Sequence, residues 1–370
     1  MKKKLIFVTT ALWMGGIEVA LVNLLNRLDP KRYALTVLIL ENRRELASRL
    51  PPHVRLLCVD REAYPFTWLR HLTEAAEKPS LRHRLLLWAM PAARWAEGWL
   101  FACHVRRTLA ETFDTAVIFS DAAAGTGIRA IRAGKFLLVC HHGMPRRMPG
   151  DGTAWRKCEK IVAVSGELED IVKKFRPRYA KKIISIPNVP DGEGILRRSR
   201  EFDPGFAPGR LHMVTVGRLH RDKGMDLAVE AAAILRDRGL AFDWHIIGGG
   251  PEEGPLREKI EHFQLKNHVF LTGMRENPYP FLAHADLYVQ PSRVEGYGLA
   301  IAEARLLGIP VIATDTAGAR MQLDPDALCP PDPLALAARI QNWISDPMPP
   351  ESWDWQAENR EILTKWGEIL

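Results

Sequence analysis

The residues whose spacing carries the most chemistry are Glu295 and Glu303, within Gln290-Pro-Ser-Arg-Val-Glu295-Gly-Tyr-Gly-Leu-Ala-Ile-Ala-Glu303. An apolar run ends just before this segment, and Gly296 to Gly298 open a predicted helix. The first N–H groups of a helix have no carbonyl within it to bond, and the helix dipole favours negative charge there, so phosphate can be held at that start. Glu303 falls just over two helical turns after Glu295, which predicts both carboxylates on roughly one helix face. One carboxylate can accept from sugar hydroxyls and the other from a ribose diol, as acidic residues do in dinucleotide folds. On spacing alone, a capping glutamate and an ordinary helix glutamate fit equally well.

Other predicted strand exits hold groups of matching chemistry. Val216-Gly-Arg218-Leu219 is followed by Asp222-Lys223-Gly224, which places Arg218 at a strand end and Lys223 at a helix start. Arg as a planar fork and Lys as a point charge can clamp a diphosphate; a pair of solvated cations is the plainer reading. Ile246-Ile-Gly-Gly-Gly-Pro251 permits close backbone approach. Thr9-Thr-Ala-Leu-Trp-Met-Gly15-Gly16-Ile-Glu18 puts two glycines before a helix, yet it is neither a GxGxxG fingerprint nor a P-loop. His141 and His142, in Val139-Cys-His-His-Gly143, stand at a strand end where an imidazole can bind a sugar hydroxyl or take part in catalysis.

These groups need a scaffold that brings strand ends together. Short apolar runs at 5–9, 34–40, 54–60, 115–120, 136–140, 161–165 and 183–187 alternate with amphipathic stretches such as 17–28 and 167–175. Runs apolar on both faces and separated by helices predict a parallel sheet covered on both sides. The stretch 190–209 is rich in proline and glycine and reads as a linker. A second alternation follows, with strands predicted at 213–216, 245–247, 269–271, 287–289 and 311–313 and helices at 225–238, 253–262 and 297–307. The expected organisation is a domain over 1–190, a linker over 191–209, a domain over 210–346 and a final helical segment over 347–370. Both domains are α/β and doubly wound, with ligands expected at strand ends beside a central cleft.

The region 61–107 departs from this pattern. Trp68, Trp88, Trp95 and Trp99 stand there among Arg70, Arg82, Arg84, Arg94, Arg106 and Arg107. Interleaved tryptophan and arginine suit the interface of an anionic membrane; helices packed on the first sheet with arginines in solvent are the competing reading.

Composition agrees with an ordinary globular chain of two domains: 370 residues, 47% apolar and 26% charged. The net charge of +7 and the isoelectric point of about 9.2 suit an anionic partner. Cys58, Cys103, Cys140, Cys158 and Cys329 are scattered, without the pairing of a disulfide framework or the spacing of a zinc site, which fits a reducing cytoplasm. The run after Lys2-Lys-Lys4 is short and leads into Gly15 and Glu18, so a buried first strand is expected in place of a signal peptide.

Taken together and in order, these segments resemble the retaining glycosyltransferases of family 4, which have the GT-B fold of two Rossmann-like domains facing a cleft, with a C-terminal helix crossing back to the first. The resemblance rests on Met14-Gly-Gly-Ile-Glu18, Val162-Ala-Val-Ser165, Pro187-Asn188, Val216-Gly-Arg-Leu219 with Lys223-Gly-Met-Asp-Leu227, Ile247-Gly-Gly-Gly-Pro251 and Glu295 to Glu303, the family's E-x7-E signature. It implies that the first domain binds the acceptor and the second the nucleotide sugar. It further implies that Gly16 backs the donor phosphate and that Arg218 and Lys223 hold the diphosphate, with N–H groups from Gly298 and Leu299. Glu295 would lie beside the donor sugar, Glu303 at the ribose, and Gly273 with Arg275 beside the base. His141 or His142, with His141 favoured, would match the family's cleft histidine. One departure stands out. Where such families often have Gly-Gly-x-x-Glu, this chain has Ala317-Gly-Ala-Arg-Met-Gln-Leu323.

The function so implied is transfer of a sugar, with retention, from a nucleotide sugar (a UDP-sugar first) to a cell-envelope glycan or lipid-linked acceptor. Neither a metal nor another cofactor is expected; Asp324-Pro-Asp326 falls in a predicted loop. The expected place is the cytoplasm, with peripheral contact at the inner face of the membrane through 61–107. Two alternative readings are another enzyme of the same fold, such as an epimerase, and a basic non-enzymatic module for nucleic acid or membrane. No RRM-like or helix-turn-helix signature supports nucleic-acid binding.

Overall fold

The computed structural model of the chain describes residues 1–64, 83–141, 152–350 and 353–370. They form two units, one of Met1–Val164, Glu169–Ile186 and Lys365–Leu370, the other of Ser165–Leu168 and Pro187–Thr364.

In the first unit the apolar runs become seven strands: β1 (Lys3–Thr9), β2 (Tyr33–Ile39), β3 (Arg55–Cys58), β4 (Thr112–Ile118), β5 (Arg132–Cys140), β6 (Lys160–Ala163) and β7 (Ile183–Ser185). Their order is β3-β2-β1-β4-β5-β6-β7, and neighbouring strands are parallel. The order reverses between β1 and β4, so the carboxyl ends of those strands mark the topological switch point where such sheets bind ligands. Leu5, Ile6, Phe7, Val8, Val117, Ile118, Leu137 and Leu138 are wholly buried, as continuous apolar strands in a covered parallel sheet require. The last helix runs from Trp355 to Ile369. Its end belongs to the first unit, where the Thr115 hydroxyl donates to the Leu370 carbonyl at 3.1 Å.

The second unit holds β8 (Leu211–Val216), β9 (Phe242–Ile247), β10 (Val269–Gly273), β11 (Leu287–Gln290), β12 (Val311–Thr314) and β13 (Leu328–Cys329). Their order is β10-β9-β8-β11-β12-β13, again parallel. One face packs on helices Met225–Asp237 and Pro333–Ser345 through Ala228, Ala232, Leu235, Leu336 and Ile340. A buried hydroxyl joins three strands: Thr215 of β8 accepts from the Trp244 indole of β9 at 3.0 Å and donates to the Val289 carbonyl of β11 at 2.6 Å.

The predicted strands appear with shifted ends, and three differences have local causes. β13 was not predicted, because a pair of strand residues flanked by prolines carries no periodicity. The stretch read as a linker contains the helix Gly192–Arg198, whose start is capped by the Asp191 carboxylate accepting from the Gly194 N–H. The helix predicted at 297–307 begins at Leu299, since Gly298 has φ +83°, a left-handed conformation that interrupts a right-handed helix.

In the region 61–107, residues 65–82 lie outside the described residues, and with them Trp68, Arg70 and Arg82. Arg84, Trp88, Arg94 and Trp95 belong to the helix His83–Thr108, but their side chains lie outside the description. Farther along this helix Glu97 is buried and paired with Arg61, whereas Trp99, Arg106 and Arg107 are exposed. Among the described residues no helix is long and apolar enough to cross a membrane.

Replacing Thr215 by valine leaves the Trp244 indole without its acceptor inside the core. Unfolding in urea should show a loss of about 1–3 kcal/mol with an unchanged denaturant slope.

Candidate functional site

The strand exits of the second unit gather most of the residues singled out by the sequence. Lys223 ends a short 3-10 turn, Arg221–Lys223, and Gly224 caps the following helix. At Gly224 the backbone has φ +65°, and an added Cβ would stand 1.9 Å from the Pro291 carbonyl oxygen, so only glycine lets the two segments meet. The Arg293 and Val294 N–H groups then donate to the Asp222 carbonyl at 2.8 and 3.2 Å. Across this join the Lys223 ammonium pairs with Glu295 Oε1 at 2.5 Å, the two side chains being 21% and 10% exposed. Nearby, Arg293 forks onto Asp226 at 2.6 and 2.7 Å. Partial burial pushes the Asp226 carboxyl up, and the Arg293 guanidinium outweighs it and holds the group below the usual range.

Glu295 has further partners that the sequence did not announce. Its Oε1 accepts from the Ser292 hydroxyl at 3.0 Å and the Gln290 amide at 3.3 Å. The same amide donates to Ser292 Oγ at 2.7 Å, and the Tyr288 phenol donates to Gln290 Oε1. Burial above all keeps that phenol protonated, with the Glu295 and Glu303 carboxylates adding to the shift. A half-buried carboxylate that accepts from three donors is held in one orientation.

Glu295 is not on the helix that carries Glu303. The expectation of one shared helix face is corrected by the left-handed Gly298, which starts the helix Leu299–Leu306 after Glu295 has passed. Gln322 braces this turn. Its amide nitrogen donates to the carbonyls of Tyr297, Gly298 and Gly318, the last two at 3.2 Å. The Gly318 N–H donates to the Glu295 carbonyl at 3.1 Å. With those carbonyls occupied, the N–H groups at Leu299 and after it form the helix start that phosphate chemistry requires. Glu303 is 8% exposed and accepts from the Tyr279 hydroxyl at 3.0 Å.

Arg218 stands half-buried at the exit of β8, and its neighbour Leu219 donates its N–H to the Gly249 carbonyl at 2.9 Å. Gly273 ends β10 and accepts from the Gly248 N–H at 3.0 Å. The Arg275 guanidinium lies 6.0 Å from the Phe281 ring.

Gly16 and His141 belong to the first unit. Gly16 is exposed and opens the helix Gly16–Arg27. His141 follows β5, is 7% exposed, and its ring lies 5.0 Å from that of Phe119. His142 lies outside the described residues. Beside His141, at the exit of β4, is a residue the sequence reading passed over: Asp121. Both of its carboxyl oxygens are enclosed, and among the described residues no side chain donates to them. Burial pushes its pKa up to about 7, offset only in part by the His141 main-chain N–H. Its signal was its place at a strand exit, the same criterion that selected His141.

The two units are the Rossmann-like domains of the GT-B fold: the structure of Anabaena HepE in complex with UDP and glucose matches with a TM-score of 0.74 over 99% of each chain, at 19% identity. Residues 197–360, within the second unit, match the family described as glycosyl transferases group 1. Among individual relatives, the putative colanic acid biosynthesis glycosyltransferase WcaL of Salmonella typhimurium is 37% identical over 121 residues, 30% of this chain and 30% of its own length. The lipopolysaccharide core biosynthesis mannosyltransferase LpsB of Rhizobium meliloti is 27% identical over 263 residues, 64% of this chain and 65% of its own.

Asp121 gives a pH-dependent prediction. In the unfolded chain its carboxyl ionises near pH 4, whereas in the fold it keeps its proton to about pH 7. Stability therefore falls as pH rises from about 4 to about 7 and levels off above that. Asp121→Asn removes this loss, so melts should show the variant gaining on the wild type from pH 4 to pH 8, by up to about 4 kcal/mol.

Proposed function

We propose that this chain is a retaining glycosyltransferase that moves a sugar from a nucleotide sugar, with a UDP-sugar as first choice, to a cell-envelope glycan or lipid-linked acceptor. The observation that carries the reading is the Lys223–Glu295 pair beside the Gly298 helix start, within the family-matched segment. Support for the donor comes from HepE, whose structure holds UDP and glucose. Support for the acceptor class comes from the colanic acid and lipopolysaccharide relatives.

The leaving group is a nucleoside diphosphate, whose growing negative charge must be stabilised. In this reading Arg218, Lys223 and the N–H groups of Gly298 and Leu299 supply that stabilisation without a metal. Glu295, held by Lys223, Ser292 and Gln290, accepts from a donor-sugar hydroxyl and is no nucleophile. Attack then comes from the leaving-group face, which retains configuration. Glu303 accepts from the ribose, and Gly273 and Arg275 flank the base.

The expected location is the cytoplasm, at the inner face of the membrane. Trp99, Arg106 and Arg107 are exposed along one side of their helix, which supports a contact with anionic lipid. Co-sedimentation with vesicles containing phosphatidylglycerol should exceed that with neutral vesicles and fall on Trp99→Ala with Arg106→Gln; equal binding to both vesicle types overturns the membrane part.

For the reaction, a screen of UDP-, GDP- and ADP-sugars read by released nucleotide should give turnover with one class. Lys223→Ala, Glu295→Ala and Arg218→Ala should each lower kcat/KM by about 100-fold or more with an unchanged circular dichroism spectrum. Wild-type turnover in all three variants would overturn the site.

A further inference from the structure

The carboxylate of Glu303 is buried, and a buried charge of this kind depends on its hydrogen-bond donors. The Tyr279 hydroxyl is such a donor, 3.0 Å from Oε1. Tyr279 is 4% exposed and opens the short helix Tyr279–Ala283. It is held at two other points. Its N–H donates to Asn277 Oδ1 at 3.2 Å, and the Asn277 amide in turn donates to the Arg198 carbonyl at 2.8 Å and to Glu201 at 2.7 Å. The Arg198 guanidinium lies 5.0 Å from the centre of the Tyr279 ring. Backbone and ring are thus both anchored, so the hydroxyl has a set position.

A glutamate carboxylate turns easily about its last bond, because that torsion has a broad profile. One charge-assisted hydrogen bond from an anchored phenol fixes its plane. We infer that Tyr279 is a positioning residue for ribose recognition, setting the Glu303 carboxylate to accept from the 2′- and 3′-hydroxyls of a nucleoside diphosphate. The inference rests on the proposed role of Glu303 and goes beyond it. Ribose selectivity in this chain depends on a tyrosine from another helix, one that need not touch the ligand.

The test is calorimetric titration of the full chain with UDP, GDP and ADP, each beside its 2′,3′-dideoxy analogue. For the nucleotide that binds, the wild type should prefer the ribose form by about tenfold or more, the worth of a hydrogen bond to a charged group. Glu303→Ala should abolish that preference. Tyr279→Phe keeps the ring against Arg198 and removes only the oxygen; it should bring the ratio to within about threefold of unity while the dideoxy affinity stays the same. A merely structural Tyr279 would weaken both ligands alike and leave the ratio intact, which overturns the inference while leaving Glu303 in place. If Glu303→Ala also keeps the wild-type ratio, or the wild type shows none, the ribose role of Glu303 falls and the inference falls with it.

Discussion

The site of the second unit depends on one interaction, the half-buried ion pair between Lys223 and Glu295. Removing two charges from water costs several kcal/mol per ion, and their attraction offsets this only when further hydrogen bonds complete the geometry. Here Ser292 and Gln290 complete it on the carboxylate side, and the Tyr288 phenol orients Gln290. The pair also requires the two segments that carry it to lie close, which is why a glycine stands at 224, against the Pro291 carbonyl. Loss of either charge would leave the other enclosed without its counter-charge.

Around this pair, backbone hydrogen bonds join one strand exit to the next. Gly217 donates to Ile247, Leu219 to Gly249, Gly248 to Gly273 and Gly318 to Glu295. The parallel sheet beneath brings all these exits to one edge, because parallel strands have their carboxyl ends together. Gln322 then takes up the carbonyls of the turn before Leu299. Within the Ala317–Leu323 stretch, Gln322 thus contributes a neutral amide donor where three carbonyl oxygens converge. A carboxylate in the place of Gln322 would face those oxygens with no proton to give.

Much of the architecture was legible because buried parallel strands read as continuous apolar runs, and Phe7, Val117, Leu138 and Val289 sit where such runs predicted. Lys223, Glu295 and Gly298 were legible from their positions at strand exits and a helix start. The geometry linking Glu295 to Glu303 was not, because a single left-handed glycine changes the path of the chain without altering the spacing of the letters. Tyr279 and Gln322 were illegible for another reason: each acts on a group distant in sequence through one side-chain atom, and no local pattern records such a contact. Asp121 lies between these cases, visible by position yet notable only once its enclosure is known.

The proposed site holds a nucleoside diphosphate at the strand exits of the second unit. Hydrogen–deuterium exchange of the full chain with and without UDP measures this amide by amide. Slower exchange is expected at Arg218 to Gly224 and at Gly298 to Ala302, with little change over β2 and β3. Protection confined to the first unit, or absent from both second-unit segments while UDP is bound, would contradict it.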